Sequence, residues 1–476
     1  MSGFSLGRTT TQLLLAHLVN YALALVNSIV LARALGVERL GAYAYAMGLA
    51  GLFGLLPNFG ISTLVTRTIA RDPDGGGGVV RAAKRAQVLL AGGVFIVIPV
   101  FAAILPGQPV PLGYVTLAAA QLAIGTLSWP YLAVVGGRAR YDRLALAELA
   151  ARAAGSVLLV TAAASRGGVV AFLWAHVLAA SIAVLVARWL AAPLIPKGRA
   201  TPLPQARLFR QAAPLGATAA VQSLYTRLDI LMLGQMASTA SLGLYSAAYK
   251  PINLAVSLGS TVAGTLLPLM AQEPQQGAPV AFVRAVRGLG ATAPAIALAL
   301  SGLGGPLLSV AFGADFAPAA PVLTLLAWSM AANWLYAPLG IALQARGRER
   351  WWLASLSGGL ALNAAGNFWA IPRWGATGAA AATLLSEVAL LGFGALLLGR
   401  ELGIPLRLRP VLATLGATAA GGVALAVLWS AGPLAATAAA LAVYGALAIL
   451  WRIVTAEDAW MVVGWVREAT LGWPRP

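Results

Sequence analysis

The sequence contains no cysteine and only two histidines, His17 and His176, in 476 residues. The absence of cysteine excludes disulfide bonds, thiolate catalysis and cysteine-ligated metal sites. Both histidines lie within apolar runs, which does not favour a histidine metal site. We therefore expect neither a bound metal nor any other cofactor.

Charged residues are also scarce. They make up 10% of the chain, whereas soluble domains carry about 25%. Hydrophobic residues make up 60%, and the mean hydropathy is +0.83. A soluble fold of this size cannot bury so much apolar surface, because much of a protein's surface must stay wettable. The composition therefore predicts an integral membrane protein.

Apolar runs of transmembrane length recur along the whole chain. A helix needs about 20 apolar residues to cross a bilayer core about 30 Å thick. The predicted segments are 13–34, 40–65, 87–105, 112–135, 144–164, 169–190, 212–235, 242–269, 289–312, 320–344, 351–371, 375–398, 411–428 and 434–451. The expected fold class is an all-α integral membrane protein with about fourteen transmembrane helices.

The connections between predicted segments are alternately rich and poor in basic residues. With a cytoplasmic N-terminus, 25 of the 32 Lys and Arg residues lie in cytoplasmic connections or tails, and four lie on the opposite side. Cytoplasmic loops retain basic residues, so the alternation supports the helix count and predicts that both termini are cytoplasmic. It also accounts for the net charge of +18 without a nucleic-acid partner.

An internal repeat divides the chain. Leu-Gly-Ala-Tyr at 40–43 and Leu-Gly-Leu-Tyr at 242–245 are 202 residues apart and open the second and eighth segments. We predict an N-terminal six-helix half at 1–195, a cytoplasmic linker at 196–211 and a second six-helix half at 212–400. Residues 401–476 would hold helices 13 and 14 and an amphipathic tail. Two such halves imply pseudo-two-fold symmetry, and many transporters place their substrate path between halves of this kind.

Several stretches resemble a known family. These are Asn-Ser-Ile-Val-Leu-Ala-Arg-Ala-Leu-Gly at 27–36 with the motif at 40–43, Arg-Leu-Asp at 227–229, and the run from Gly243 to Lys250. In these stretches the chain resembles the polysaccharide flippase branch of the multidrug/oligosaccharidyl-lipid/polysaccharide exporter superfamily. The resemblance implies a bacterial inner-membrane transporter, not an enzyme. It would move polyprenyl-diphosphate-linked oligosaccharide to the outer leaflet for O-antigen of lipopolysaccharide, capsule or exopolysaccharide.

The resemblance also defines the expected partners. They are the lipid-linked glycan and membrane lipid, with a proton or sodium ion as the coupling ion to be considered. We expect a monomer, for which polysaccharide assembly proteins are candidate associates. Two alternatives of the same superfamily stay open, a lipid II flippase and a cation-coupled multidrug exporter. A membrane enzyme is disfavoured because the predicted outer connections are very short, and no residue is assigned a catalytic role.

Ionisable residues inside transmembrane helices are costly and often functional. Arg227 and Asp229 lie in the seventh segment and Lys250 in the eighth. One interpretation is that Arg227 or Lys250 binds the substrate diphosphate, and arginine suits that role because it binds phosphate in a bidentate way. The other is that Asp229 and Lys250 form a buried ion pair that holds the two helices together.

Three further ionisable residues are candidates. Glu148 and Arg152 have the i, i+4 spacing that favours an ion pair on one helix face. They either neutralise each other or leave Arg152 to face the substrate cavity. Glu387, in the middle of the twelfth segment, has no oppositely charged residue nearby in sequence. It is a candidate for proton or sodium coupling, with a polar interhelical contact as the alternative.

Overall fold

A computed structural model describes residues 3–453 except 58–59, 73, 75, 197–203, 265–279, 346 and 403–407. These described residues form helices and turns without a β-strand. The helices are α1 (Gly3–Leu52), α2 (Ile61–Arg71), α3 (Gly77–Ile104), α4 (Leu112–Thr126), α5 (Trp129–Gly137), α6 (Tyr141–Ala164), α7 (Gly168–Ala191), α8 (Gln205–Met236), α9 (Thr239–Gly264), α10 (Val280–Phe312), α11 (Ala320–Ala345), α12 (Glu349–Leu402), α13 (Leu408–Val427) and α14 (Pro433–Leu450). The predicted all-α membrane fold is confirmed.

Nine helices within the described ranges are long and apolar enough to cross a membrane. Their outer faces carry large apolar side chains. On α3, for example, Leu89 is 70% exposed and Ile104 is 76% exposed. A continuous apolar surface of this kind is unfavourable in water and is typical of a lipid-facing helix.

In two pairs of predicted segments, a single glycine of non-helical backbone conformation separates one helical arm from the next. In α1 the break is at Gly36, with φ 69° and ψ 179°. In α12 it is at Gly375, with φ 53° and ψ −127°. Because glycine has no Cβ, it adopts these positive-φ conformations at little steric cost. A single glycine therefore separates the first predicted segment from the second, and the eleventh from the twelfth.

The fourth predicted segment, 112–135, forms one candidate membrane span, Leu112–Gly137, but it is interrupted near its middle, whereas the sequence indicated one unbroken helix. The interruption separates α4 from α5 just before Pro130, which lacks a backbone N–H and whose ring clashes with the carbonyl four residues earlier. The Thr126 and Ser128 hydroxyls donate to the carbonyls of Ala123 and Gly125 at 2.8 and 2.7 Å. The Gly125 carbonyl also accepts from the Ser128 amide at 3.1 Å, so side-chain and backbone hydrogen bonds together close the turn between α4 and α5.

The second predicted segment, 40–65, is also divided. The helix α1 ends at Leu52 and a short 3-10 turn follows at Phe53–Leu55. Then α2 starts after Gly60, which has φ 79°. Ile61, Val65 and Ile69 of α2 recur at intervals of four, and their side chains are fully buried. Their core cluster also contains Ala83 of α3, so the break lets α2 pack as a separate helix.

The described residues separate into two compact units, one that extends to Gly243 and one that begins at Leu244. This division by compactness differs in kind from the repeat division at 1–195 and 212–400, which stays a prediction. In the first unit, α1 packs against α4, α6, α7 and α8. In the second unit, α11 packs against α10 and α12, and α14 packs against α10 and α13.

A buried tyrosine attaches the last helices to the second unit. The Tyr444 hydroxyl of α14 donates a hydrogen bond of 2.6 Å to the Ala291 carbonyl of α10. Tyr444 belongs to a buried cluster with Leu298 of α10 and Ala417 of α13. The predicted helices 13 and 14 are therefore packed against α10.

Candidate functional site

A cavity of about 610 Å³ lies inside the first unit, among α1, α4, α5, α6 and α7. One face of α6 supplies much of its wall, because Leu144, Glu148, Arg152, Gly155 and Leu159 recur at intervals of three or four residues. Opposite them, α7 contributes alanines at 179, 180 and 183. The small side chains leave space for the cavity, and longer polar side chains line it.

The electrostatics of the cavity come from Glu148 and Arg152, which both line it. Their side chains are exposed. Although their spacing favours a pair, no salt bridge joins Glu148 to Arg152 in this described part of α6. The cavity therefore presents a carboxylate and a guanidinium that do not neutralise each other by direct contact.

A hydrogen-bonded chain joins α1 to this wall. The Asn27 amide nitrogen Nδ2 donates to the Ser156 hydroxyl at 2.9 Å. The Ser156 hydroxyl in turn donates to the Arg152 carbonyl at 2.9 Å. The Asn27 Oδ1 atom is buried and accepts no hydrogen bond from the described residues. Asn27 lines the cavity, so its Oδ1 atom can accept a hydrogen bond from a molecule bound there.

A second polar contact holds α7 in place. The Tyr43 hydroxyl of α1 and the His176 Nε2 atom of α7 are 2.6 Å apart. His176 lines the cavity. Asn27 and His176 are both polar side chains in otherwise apolar helices, a signal that sequence analysis can detect.

The N-terminal part of α6 is held by charges. Arg140, just before the helix, donates to both oxygens of Asp142 at 2.9 and 2.7 Å. A carboxylate in the first turn interacts favourably with the helix dipole. This exposed ion pair lies at the first turn of α6, about two turns before Glu148 and three turns before Arg152.

Arg227 lies on α8 in the first unit and is half-buried. Its guanidinium rests on Gly51 of α1. Asp229, two residues further on, is buried, with 7% of its surface exposed. Arg227 does not line the cavity that contains Arg152, so the two predicted cations occupy separate places.

Lys250 is half-buried on α9, in the second unit. The predicted ion pair between Lys250 and Asp229 stays a prediction. The roles assigned to Arg227 and Lys250 as ligands of a diphosphate likewise stay predictions.

Glu387, on α12, is buried, with 6% of its surface exposed. The Asn333 amide of α11 donates to its two carboxylate oxygens at 3.3 and 3.4 Å. On the same helix, Asn367 donates to Asn363 at 2.9 Å, and both residues are buried. The second unit therefore holds a buried carboxylate with an amide donor from the neighbouring helix, which sequence spacing did not reveal.

These features define a polytopic, all-helical membrane protein with a charged cavity among its helices, as in transporters. More particularly, residues 6–273 match the family model described as polysaccharide biosynthesis protein. That match covers more than half of the chain, and the chain belongs to this family. The family resemblance inferred from the sequence is confirmed. A comparison with curated proteins gives no match.

Several solved transporter structures share the fold. A lipid II flippase MurJ in an inward closed conformation has a TM-score of 0.75 and 13% identity, covering 92% of this chain and 98% of that chain. An inward-facing multidrug resistance MATE family transporter has a TM-score of 0.61 and 16% identity, covering 81% and 94%. A MOP superfamily transporter from Pyrococcus furiosus, described as having a binding pocket of reverse polarity, has a TM-score of 0.57 and 15% identity, covering 83% of this chain and 95% of that chain.

Proposed function

We propose that the protein is a flippase that moves polyprenyl-diphosphate-linked oligosaccharide from the cytoplasmic to the outer leaflet of the bacterial inner membrane by alternating access. Its product would serve O-antigen, capsule or exopolysaccharide synthesis. One observation carries the proposal. A member of the polysaccharide biosynthesis family has a guanidinium, a carboxylate, an amide and an imidazole lining one cavity among its membrane helices.

The chemistry of such a substrate matches these groups. The prenyl tail stays in lipid, whereas the diphosphate is anionic and the sugars present hydroxyl donors. Arginine binds phosphate oxygens through two parallel N–H bonds, and Arg152 is a cavity residue suited to this role. The Glu148 carboxylate and the free Asn27 Oδ1 atom accept hydrogen bonds, as sugar hydroxyls require.

The other predicted cations serve the same substrate in this proposal. A cation at the centre of a membrane helix costs about 2.5–3.5 kcal/mol on insertion scales. Arg227 and Lys250 would offset that cost by binding the diphosphate along its path. Glu387, the buried carboxylate beside Asn333, would carry the coupling proton or sodium ion. The protein would act as a monomer with both termini in the cytoplasm.

A lipid II flippase is the second candidate, favoured by the likeness over 92% of this chain to the MurJ structure. Both substrates combine a prenyl diphosphate with a sugar, so the cavity chemistry suits either. A multidrug exporter fits less well, because an organic cation would prefer an acidic, aromatic cavity, and here Glu148 is accompanied by Arg152.

The test uses a strain that lacks the gene. We expect lipid-linked glycan to accumulate facing the cytoplasm in that strain, and wild-type protein to restore export. Purified protein in proteoliposomes should expose a fluorescent undecaprenyl-diphosphate glycan at the opposite leaflet, and Arg152→Ala should lose this activity. Normal glycan export in the deletion strain, together with activity on lipid II in the same proteoliposomes, would replace the proposal by the second candidate.

A further inference from the structure

Helices α1 and α8 of the first unit meet through glycines. On α1, a Cβ at Gly48 would lie 2.5 Å from the Ile230 Cγ2 atom of α8. On α8, a Cβ at Gly234 would overlap the ring of Tyr45. The two helices therefore approach more closely than larger side chains at these positions allow. One contact in this interface differs from the others because it involves a charge.

That contact joins Gly51 to Arg227. A Cβ at Gly51 would overlap the Arg227 Nη1 atom and would lie 2.5 Å from Cζ and 3.0 Å from Nε. The guanidinium thus occupies the volume that the Cβ of any other residue at 51 would fill. Within the described residues, no carboxylate forms a salt bridge with Arg227. Packing against Gly51, and not a counter-ion, accounts for where this cation sits.

We infer that Gly51 is the positioning residue for Arg227. Its missing side chain provides the place on α1 where the guanidinium rests, ready for an anionic headgroup. This inference rests on the proposed function, in which Arg227 binds the diphosphate of a lipid-linked glycan. A free arginine side chain has many rotamers, and fixing it before binding removes part of the entropic cost of forming bidentate bonds.

The chain offers matched controls for a Gly51→Ala variant. Three residues on, a Cβ at Gly54 would meet only the Leu122 Cδ1 atom, at an ordinary contact distance of 3.7 Å. Gly54→Ala therefore adds a methyl group without displacing anything. Gly48→Ala tightens the same interface of α1 and α8, but against the apolar Ile230. Only Gly51→Ala moves the guanidinium.

The first measurement follows the position of Arg227 directly. Purified full-length protein is treated with phenylglyoxal, and modification of Arg227 is followed by mass spectrometry. We expect Gly51→Ala, and Gly51→Ser with the same overlap, to change the rate at Arg227 severalfold, whereas Gly54→Ala and Gly48→Ala leave it as in wild type. An unchanged rate in both Gly51 variants would overturn the inference. Failure of both to fold would also overturn it, because the overlapping group is a flexible side chain that is free to move.

The second measurement tests the consequence for binding. The probe is undecaprenyl diphosphate, titrated onto the protein in nanodiscs of phosphatidylethanolamine and phosphatidylglycerol. We expect Gly51→Ala and Arg227→Gln each to weaken binding about tenfold, and the double variant to be no weaker than Arg227→Gln alone. Multiplied effects, near a hundredfold, would contradict the positioning role. If Arg227→Gln binds normally while the phenylglyoxal result holds, the proposed substrate role of Arg227 fails and the positioning contact stands.

Discussion

Gly41 and Gly243 lie against each other's helix through backbone alone. A Cβ at Gly41 would overlap the Thr239 carbonyl oxygen, and a Cβ at Gly243 would overlap the carbonyl oxygen of Val37. Gly41 and Gly243 are 202 residues apart, and so are Val37 and Thr239. The contact therefore joins equivalent positions of the two sequence motifs from which the repeat is predicted.

The first prediction concerns this contact. Gly41→Ala should destabilise the protein by about 1–3 kcal/mol, the usual cost of overpacking, because a carbonyl in a helix cannot move aside as a side chain can. Thermal unfolding of the detergent-solubilised protein measures the effect. Gly92→Ala is the control, since a Cβ there meets nothing within 4 Å. Equal unfolding temperatures for the two variants would contradict the close backbone approach.

The second prediction concerns the charged cavity. No ion pair joins Glu148 to Arg152 in this part of the described chain, so Arg152→Ala should leave abundance and thermal stability nearly unchanged. Glycan translocation in proteoliposomes should fall at least tenfold, and Arg152→Lys should lie between, because lysine keeps the charge and loses the bidentate geometry. Arg85→Ala removes an exposed cation outside the cavity and should remain active. Loss of protein with full specific activity would assign Arg152 to the fold.

The third prediction concerns the buried carboxylate of Glu387. Glu387→Gln keeps the shape of the side chain and a hydrogen-bonding oxygen for Asn333, so the fold should be retained. If this carboxylate couples transport, translocation by Glu387→Gln should no longer respond to an imposed proton or sodium gradient. The experiment compares flux with and without each gradient in proteoliposomes. A gradient response equal to that of wild type would leave Glu387 with the role of an interhelical contact.

The fourth prediction concerns the attachment of α14. Tyr444→Phe deletes the hydroxyl that donates to Ala291 at 2.6 Å. We expect a loss of about 1 kcal/mol, typical of one hydrogen bond, visible as a lower unfolding temperature. Tyr141→Phe removes a hydroxyl from a side chain that is 46% exposed and should be neutral. A Tyr444→Phe protein as stable as wild type would show that apolar packing alone holds α14.

The sequence predicted the fold class well because bilayer thickness limits helix length and the apolar runs are long. It also predicted separate segments on either side of Gly36 and segments that meet near Gly375, where α1 and α12 break. Composition did not show that a single glycine, and not a longer loop, makes each break. Pro130 was visible in the sequence, but the turn before it, in which the hydroxyls of Thr126 and Ser128 donate to backbone carbonyls, was not predicted.

The site was harder to predict because its contacts are distant in sequence. Glu148 and Arg152 were found from their spacing, but spacing favours pairing without enforcing it. Asn27 and Ser156 are 129 residues apart, and Tyr43 and His176 are 133 apart. No local pattern predicts such partners. The contact of Gly51 with Arg227 cannot be predicted from the sequence either, because a glycine does not indicate which residue packs against its Cα.

The brevity of several connections has a practical consequence. One glycine separates the two arms of α1 and the two arms of α12. Three residues join α6 to α7, and two join α8 to α9. Such turns offer a protease no extended peptide to bind and an antibody hardly any epitope. Affinity tags and fluorescent reporters inserted at these four points would disrupt the helices, so labelling is better directed to the longer connections elsewhere in the chain.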